Sequence, residues 1–286
     1  MEANFVASAI TQGDLMKQVV TVSDCLLRAI DLICDRQPTI PIIGLSGPQG
    51  AGKTTALSGL YNKSTKRIAT LGIDDFYLTK AQRIDLAKVI SPLSKTRGPA
   101  GTHDIKLIKK TIESLVSAEA NTFTSLIRFD KASDDRRPEK DWLVFKGKPD
   151  VIILEGWLVG AIAPDDFAYS APINSIERLD EDAVWRRYQK HQLDNNYAKL
   201  WASFDAYIHI KGPGFDTVFD WRKQQEAGNL GLNEGDLPDE IIDWLEEFIQ
   251  HYQRLTIAIA NNFHYPGAII SIDKHRTVTH FDLSSL

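Results

Sequence analysis

Residues 47–54 read Gly-Pro-Gln-Gly-Ala-Gly-Lys-Thr, and no other stretch of this 286-residue chain narrows its possible folds so far. Two glycines with four residues between them, followed by Lys and Ser/Thr, make a phosphate-binding loop pattern. The glycines let the backbone wrap so that its N–H groups point inward at a polyphosphate, and the N-terminus of the next helix adds partial positive charge. The pattern demands a strand before it and a helix after it. Both are legible here, as the apolar run Ile42–Leu45 and the helix-compatible run Lys53–Tyr61. Gly47, Pro48, Gln49, Gly50, Ala51, Gly52, Lys53, Thr54 and Thr55 are therefore the candidate nucleotide contacts. Lys53 is placed at the β- and γ-phosphates and the Thr54 hydroxyl on Mg²⁺.

The rest of the chain agrees with that beginning. Apolar runs at Arg67–Ile73, Val151–Leu154 and Ala206–Ile210 lack clean alternation, which suits strands buried on both faces of a parallel sheet. Helical segments between them, at Asp104–Val116, Leu179–Tyr197 and Asp216–Ala227, argue for a doubly wound α/β domain. An amphipathic helix is predicted from about Asp14 to Arg36, a late helix from Pro238 with an apolar face, and two short strands at Ala268–Ile272 and Thr277–Phe281. The polar loops Ser94–His103, Lys131–Asp141 and Gly228–Gly235 are too short to separate domains. The reading is one domain over 1–286, with a helix at about 14–36, a core at about 40–286 and a lid at about 179–197.

Composition excludes some classes. With 33 Lys and Arg against 38 Asp and Glu, the net charge is −5, which counts against binding duplex nucleic acid through its phosphates. No apolar run is long enough to span a membrane. The first 17 residues carry no hydrophobic signal core, so a secretory leader is not expected. Cys25 and Cys34 lie about 13.5 Å apart if they share one helix, too far for a disulfide. Unpaired thiols fit a cytoplasmic location.

Two strand ends carry acids. Asp74 and Asp75 follow the second strand, and Asp74 is the candidate base for an attacking hydroxyl. Asp75 stays open between a metal, substrate or structural role, and Tyr77 is a candidate substrate contact. Glu155 ends the third strand and is the candidate second Mg²⁺ residue. The guanine signature and switch of GTPases are absent, as is the signature helix start of transporter ATPases, which leaves a small-molecule kinase.

Together these pieces resemble the phosphoribulokinase, uridine kinase and pantothenate kinase group of P-loop kinases. Within that group, Arg97-Gly98-Pro99-Ala100-Gly101-Thr102-His103-Asp104 resembles a segment of the D-glycerate 3-kinases. So do Phe129-Asp130-Lys131 with Asp135-Arg136, and Trp221-Arg222 with Gln225-Glu226. The resemblance implies ATP-dependent phosphorylation of D-glycerate to 3-phosphoglycerate. A small anion needs fixed positive charge, and Arg97 offers a bidentate fork for a carboxylate. His103 and Lys131 are further candidates. Asp104 either accepts from a substrate hydroxyl or caps the helix that starts there. The group also implies a lid helix whose arginines neutralise the transferring phosphoryl. Arg186 and Arg187 point about 100° apart on a helix, so one acts and the other faces solvent or an acidic neighbour. Arg222 is a phosphate or carboxylate candidate, or else pairs with Glu226 four residues on. Another small acceptor, such as a nucleoside or a pantothenate-like acid, and a non-catalytic ATP-binding module remain the alternatives. The tail histidines His264, His275 and His280 have no ligand spacing, and Lys274–Arg276 stands open as a neighbour of the adenine.

Overall fold

The computed structural model describes residues 20–286. The start of the predicted first helix, residues 14–19, and the stretch read for a leader lie outside the described residues. Helix α1 is Val22–Arg36, and Thr21 caps it reciprocally with Asp24: each side chain accepts from the other's backbone N–H. Its buried face is Cys25, Leu26, Ala29, Ile30 and Ile33, and both cysteines are free thiols.

The order then runs β1 (Ile42–Ser46), α2 (Lys53–Tyr61), β2 (Ile68–Gly72), α3 (Lys80–Val89), α4 (Ile105–Val116), β3 (Phe123–Leu126), β4 (Phe129–Asp130), β5 (Asp135–Arg136), β6 (Leu143–Lys146) and β7 (Val151–Gly156). It continues with α5 (Ser175–Arg178), α6 (Val184–Gln192), α7 (Ala198–Trp201), β8 (Ala206–Lys211), α8 (Phe215–Leu230), α9 (Asp239–Ala260), β9 (Ala268–Ile272) and β10 (Val278–Asp282).

Six strands form the central sheet in the order β10-β9-β8-β1-β7-β2, parallel except for the β9–β10 pair. Strands β1, β7 and β8 are buried over almost their whole length, as their unbroken apolar runs predict. One apolar layer packs α1 and α2 on the sheet, around Leu26, Ile30, Leu57 and Leu60. The other packs α4, α9 and the 193–201 stretch, around Ile108, Leu158, Trp201 and Tyr252. This is the doubly wound α/β arrangement, with the carboxyl ends of β1, β7 and β2 side by side at one edge.

Two regions differ from expectation. Between β2 and β7 the chain makes two small antiparallel ribbons, β3–β6 and β4–β5, where the sequence reading has only the helix Asp104–Val116 and the polar loops Ser94–His103 and Lys131–Asp141. The predicted lid at 179–197 is α6 running into a π-helical turn at Leu193–Tyr197 and then α7. Trp185, Gln189, Leu193, Tyr197 and Trp201 are buried, which fastens this segment into the body rather than over the cleft. Among the described residues, no helix is long and apolar enough to cross a membrane.

Candidate active site

The loop between β1 and α2 needs glycine at two points. Gly50 and Gly52 have φ of 76° and 84°, and a Cβ on Gly50 would stand 2.4 Å from Cβ of Trp221. Gly52 caps α2, whose first turn opens into a cleft of about 910 Å³. Lys53 Nζ donates to the carbonyl oxygens of Gly47 at 2.8 Å and Pro48 at 3.2 Å. Burial depresses its pKa, while the charges of Glu155 and Asp74 act against that. Thr54 and Thr55 also line the cleft.

The C-terminal hairpin reaches the same loop. Arg276 donates through Nε to the Gly50 carbonyl at 2.7 Å and through NH2 to Gln224 Oε1 at 3.0 Å, with its guanidinium 5.0 Å from the Trp221 ring centroid. Its φ of 64° is unusual for a non-glycine residue. The tail segment left open by the sequence thus stands against the phosphate loop, brought there by the β9–β10 connection.

Asp74 sits in a 3-10 turn directly after β2, and Glu155 lies in β7 with Gly72 as its register partner. Both line the cleft with Lys53. Asp74 accepts from the Tyr77 hydroxyl at 2.6 Å and from Lys131 Nζ at 2.8 Å. Burial works to raise its pKa. The Lys131 charge and these two hydrogen bonds outweigh burial and hold the carboxyl well below the usual range. Burial dominates at Glu155 and raises its pKa, opposed chiefly by Lys53. The Thr54 hydroxyl and the Glu155 carboxylate are hard oxygen donors at the phosphate end. They fit Mg²⁺, a cation that takes one or two protein oxygens and keeps several waters.

Arg97, Lys131, Arg222 and Tyr77 line the cleft as well. Arg97 pairs with Asp134 at 2.5 Å. Arg222 bonds Gln225 at 2.7 Å and lies 3.8 Å from Glu226, so it both faces the cleft and makes its helical pair. Seven other predicted residues do not line the cleft: Gly47 and Pro48 at the start of the loop, and five from elsewhere in the chain. Asp75 accepts from the Phe129 backbone N–H and from Arg128, each at 3.0 Å, and so anchors β4. Asp104 caps α4 through Leu107 N–H and lies 3.4 Å from Arg136. His103 is buried with Nδ1 bonded to the Tyr197 hydroxyl at 2.6 Å and its Nε2 without a partner. Arg186 is 3% exposed; it holds Asp180 at 3.2 Å and the Ser170 carbonyl at 2.8 Å. Arg187 faces solvent.

Sequence reasoning missed Trp221 as a wall of the loop, Tyr252 as a cleft residue and Asp134 as the partner of Arg97. Trp221 stood inside a quoted motif, and Tyr252 sat on a predicted apolar helix face. Asp134 carried no signal beyond its place in a polar loop.

A phosphate loop on a central parallel strand, with acids at the ends of the next two strands on one side, β7 and then β2, defines a P-loop kinase fold. No family model matches the chain. Among curated proteins it is 28% identical over 236 residues to an uncharacterized kinase, mug58, of Schizosaccharomyces pombe, covering 78% of this chain and 83% of that protein. It is 30% identical over 231 residues to a chloroplastic D-glycerate 3-kinase of Arabidopsis thaliana, covering 74% of this chain. The matched region is 47% of that plant protein, so the chain spans about half its length. Among solved structures, a D-glycerate 3-kinase from Cryptococcus neoformans superposes with a TM-score of 0.72 at 23% identity, covering 91% of this chain and 97% of the other. The chain thus has the fold of the P-loop kinases and is similar to kinases that include a D-glycerate 3-kinase.

Proposed function

We propose that this chain transfers the γ-phosphoryl group of ATP to the 3-hydroxyl of D-glycerate, giving 3-phosphoglycerate and ADP. The observation that carries the reading is the cleft itself. It sets an ionised Asp74 beside Lys53 and Glu155 at the phosphate loop, with Arg97, Lys131 and Arg222 around the remaining wall. The plant relative's name supports the same acceptor.

The loop amides and Lys53 bind the phosphate chain. Lys53 then exchanges its two carbonyl partners for phosphate oxygens and stabilises the charge spreading onto the transferred group. Thr54 and Glu155 would hold Mg²⁺, which would supply charge neutralisation at the phosphate chain. Arg97 forks onto the acceptor carboxylate, and Lys131 adds a second positive charge.

Asp74 orients the acceptor hydroxyl. A carboxylate with so low a pKa is a weak base toward a free alcohol. In a loose transition state the proton leaves late, after the oxygen has begun to bond phosphorus and become acidic. The new P–O bond forms at the 3-oxygen, the bond to the ADP oxygen breaks, and the proton ends on Asp74.

The test is turnover with ATP and D-glycerate for the wild type and Asp74→Asn. The variant is expected to keep its ATP affinity and lose about 10²- to 10⁴-fold in kcat. Unchanged kcat removes Asp74 as the proton acceptor.

A further inference from the structure

Arg97 lines the cleft, yet a lone arginine on a cleft wall is a long side chain with many rotamers. What holds it is Asp134. The Asp134 Oδ1 accepts from Arg97 NH1 at 2.5 Å, and its Oδ2 stands 2.9 Å from Arg83 NH2. Arg83 is a brace that cannot turn to a ligand. It is 1% exposed and donates to the carbonyls of Leu78 at 3.2 Å, Lys95 at 2.8 Å and Asp134 itself at 2.7 Å. Both guanidinium carbons lie 5.9 Å from the centroid of the Phe129 ring, which backs the two arginines with a single apolar plate.

Two further observations single out Asp134. Its φ is 56°, a left-handed conformation that Asp and Asn adopt more readily than other non-glycine residues. Strained backbone of this kind persists where the surroundings over-determine it, and here Arg83 grips the residue at both its carbonyl and its carboxylate. The charge count is also uneven. One carboxylate serves two guanidinium groups, so the trio keeps a net positive charge. An arginine paired one-to-one with an acid would present none. Asp134 itself stands behind Arg97, outside the residues that line the cleft.

The geometry points to Asp134 as the positioning residue that aims Arg97 at the acceptor's carboxylate without neutralising it. Asp134 grips one edge of the guanidinium and leaves the other edge as a planar fork for the ligand. Selectivity for a carboxylate-bearing acceptor then depends on a residue that never touches the acceptor. This inference rests on the proposed kinase reaction.

The test compares Asp134→Asn and Asp134→Ala with the wild type in steady-state turnover. The acceptors are D-glycerate, pantothenate, uridine and glycerol, and each KM is measured beside the KM for ATP. Asn tolerates the left-handed backbone and its amide oxygen serves one arginine, so it is expected to raise the acceptor KM about tenfold. Ala serves neither and is expected to raise it about a hundredfold, with the KM for ATP and kcat held within about threefold in both variants. A merely structural role would move the KM for ATP, kcat and the thermal midpoint together, and that pattern overturns the inference. So does an unchanged acceptor KM. If the wild type phosphorylates pantothenate and not D-glycerate, the glycerate reading fails while Asp134 is judged by the same rule on pantothenate. A wild type that turns over only uridine or glycerol, or no acceptor at all, overturns both.

Discussion

Two regions of this chain carry arginines that read alike in the sequence and end in opposite circumstances. Arg97 stands on the cleft wall, with an acid behind it that it shares with Arg83. Arg186, in the helical segment 184–201, is sealed beneath the surface against Asp180, whose carboxylate also accepts from the backbone N–H groups of Trp185 and Arg186. Side-chain type is the same, and so is the capacity for a bidentate fork. The partner decides the outcome. An arginine whose acid meets no second cation is spent on holding the fold, whereas one whose acid is shared with another arginine keeps charge for a ligand.

That contrast can be broken most directly at Arg186. Replacing it by Met leaves Asp180 buried without its counter-ion and is expected to cost about 3 kcal/mol of stability. Urea denaturation measures the loss. The KM values of the folded enzyme stay at their wild-type level, as they do in Arg187→Ala, which loses neither stability nor activity. A rise in either KM for Arg186→Met would place that residue in the reaction after all. Arg97→Ala is the mirror experiment. It removes a charge-assisted contact of about 1.5–3 kcal/mol and so raises the acceptor KM roughly ten- to hundredfold. Stability changes little, because Asp134 keeps Arg83. Equal losses in stability and binding would erase the difference between the regions.

A smaller effect sharpens the boundary where the regions meet. His103 joins them, with its ring 5.0 Å from that of Tyr77 on the cleft side and its Nδ1 on Tyr197 in the helical segment. Burial pushes its pKa from 6.5 down to about 4, with Asp74 acting weakly the other way. The unfolded chain therefore binds more protons between those two values. The stabilising contribution is complete above about pH 6.5 and is lost as the pH falls toward 4. From pH 7 to pH 5 this one residue accounts for a loss of about 2 kcal/mol. Denaturation curves at the two pH values should show the loss in the wild type and a shallower one in His103→Asn. An equal loss in both proteins would place the proton elsewhere.

The same contrast explains what could be read in the sequence. The phosphate loop, the strand before it and the acids at the ends of β2 and β7 were legible because each follows from local pattern: main-chain geometry, strand burial and the position of a strand end. The doubly wound sheet followed from the alternation of apolar runs with helical segments. The roles of Arg186, His103 and Asp75 were not legible, whereas the cap at Asp104 was one of two readings the sequence offered. Each is settled by a partner distant in sequence or by a backbone group exposed in a turn. Asp75 meets Phe129, 54 residues away, and His103 meets Tyr197, 94 residues away. The β3–β6 ribbon escaped notice because its outward residues, Phe123 and Val144, are apolar and exposed, so the strand lacks the usual alternation. Asp134 is the extreme case, since its worth lies in two arginines at positions 83 and 97.

A phosphate loop and an arginine-rimmed acceptor wall are together proposed to make a kinase for D-glycerate. ADP release measured with D-glycerate, pantothenate and uridine as sole acceptors tests it most directly. ATP-dependent turnover is expected with D-glycerate, with 3-phosphoglycerate as the product, and at most weak activity with the other two. Turnover of uridine or pantothenate with none on D-glycerate would contradict it.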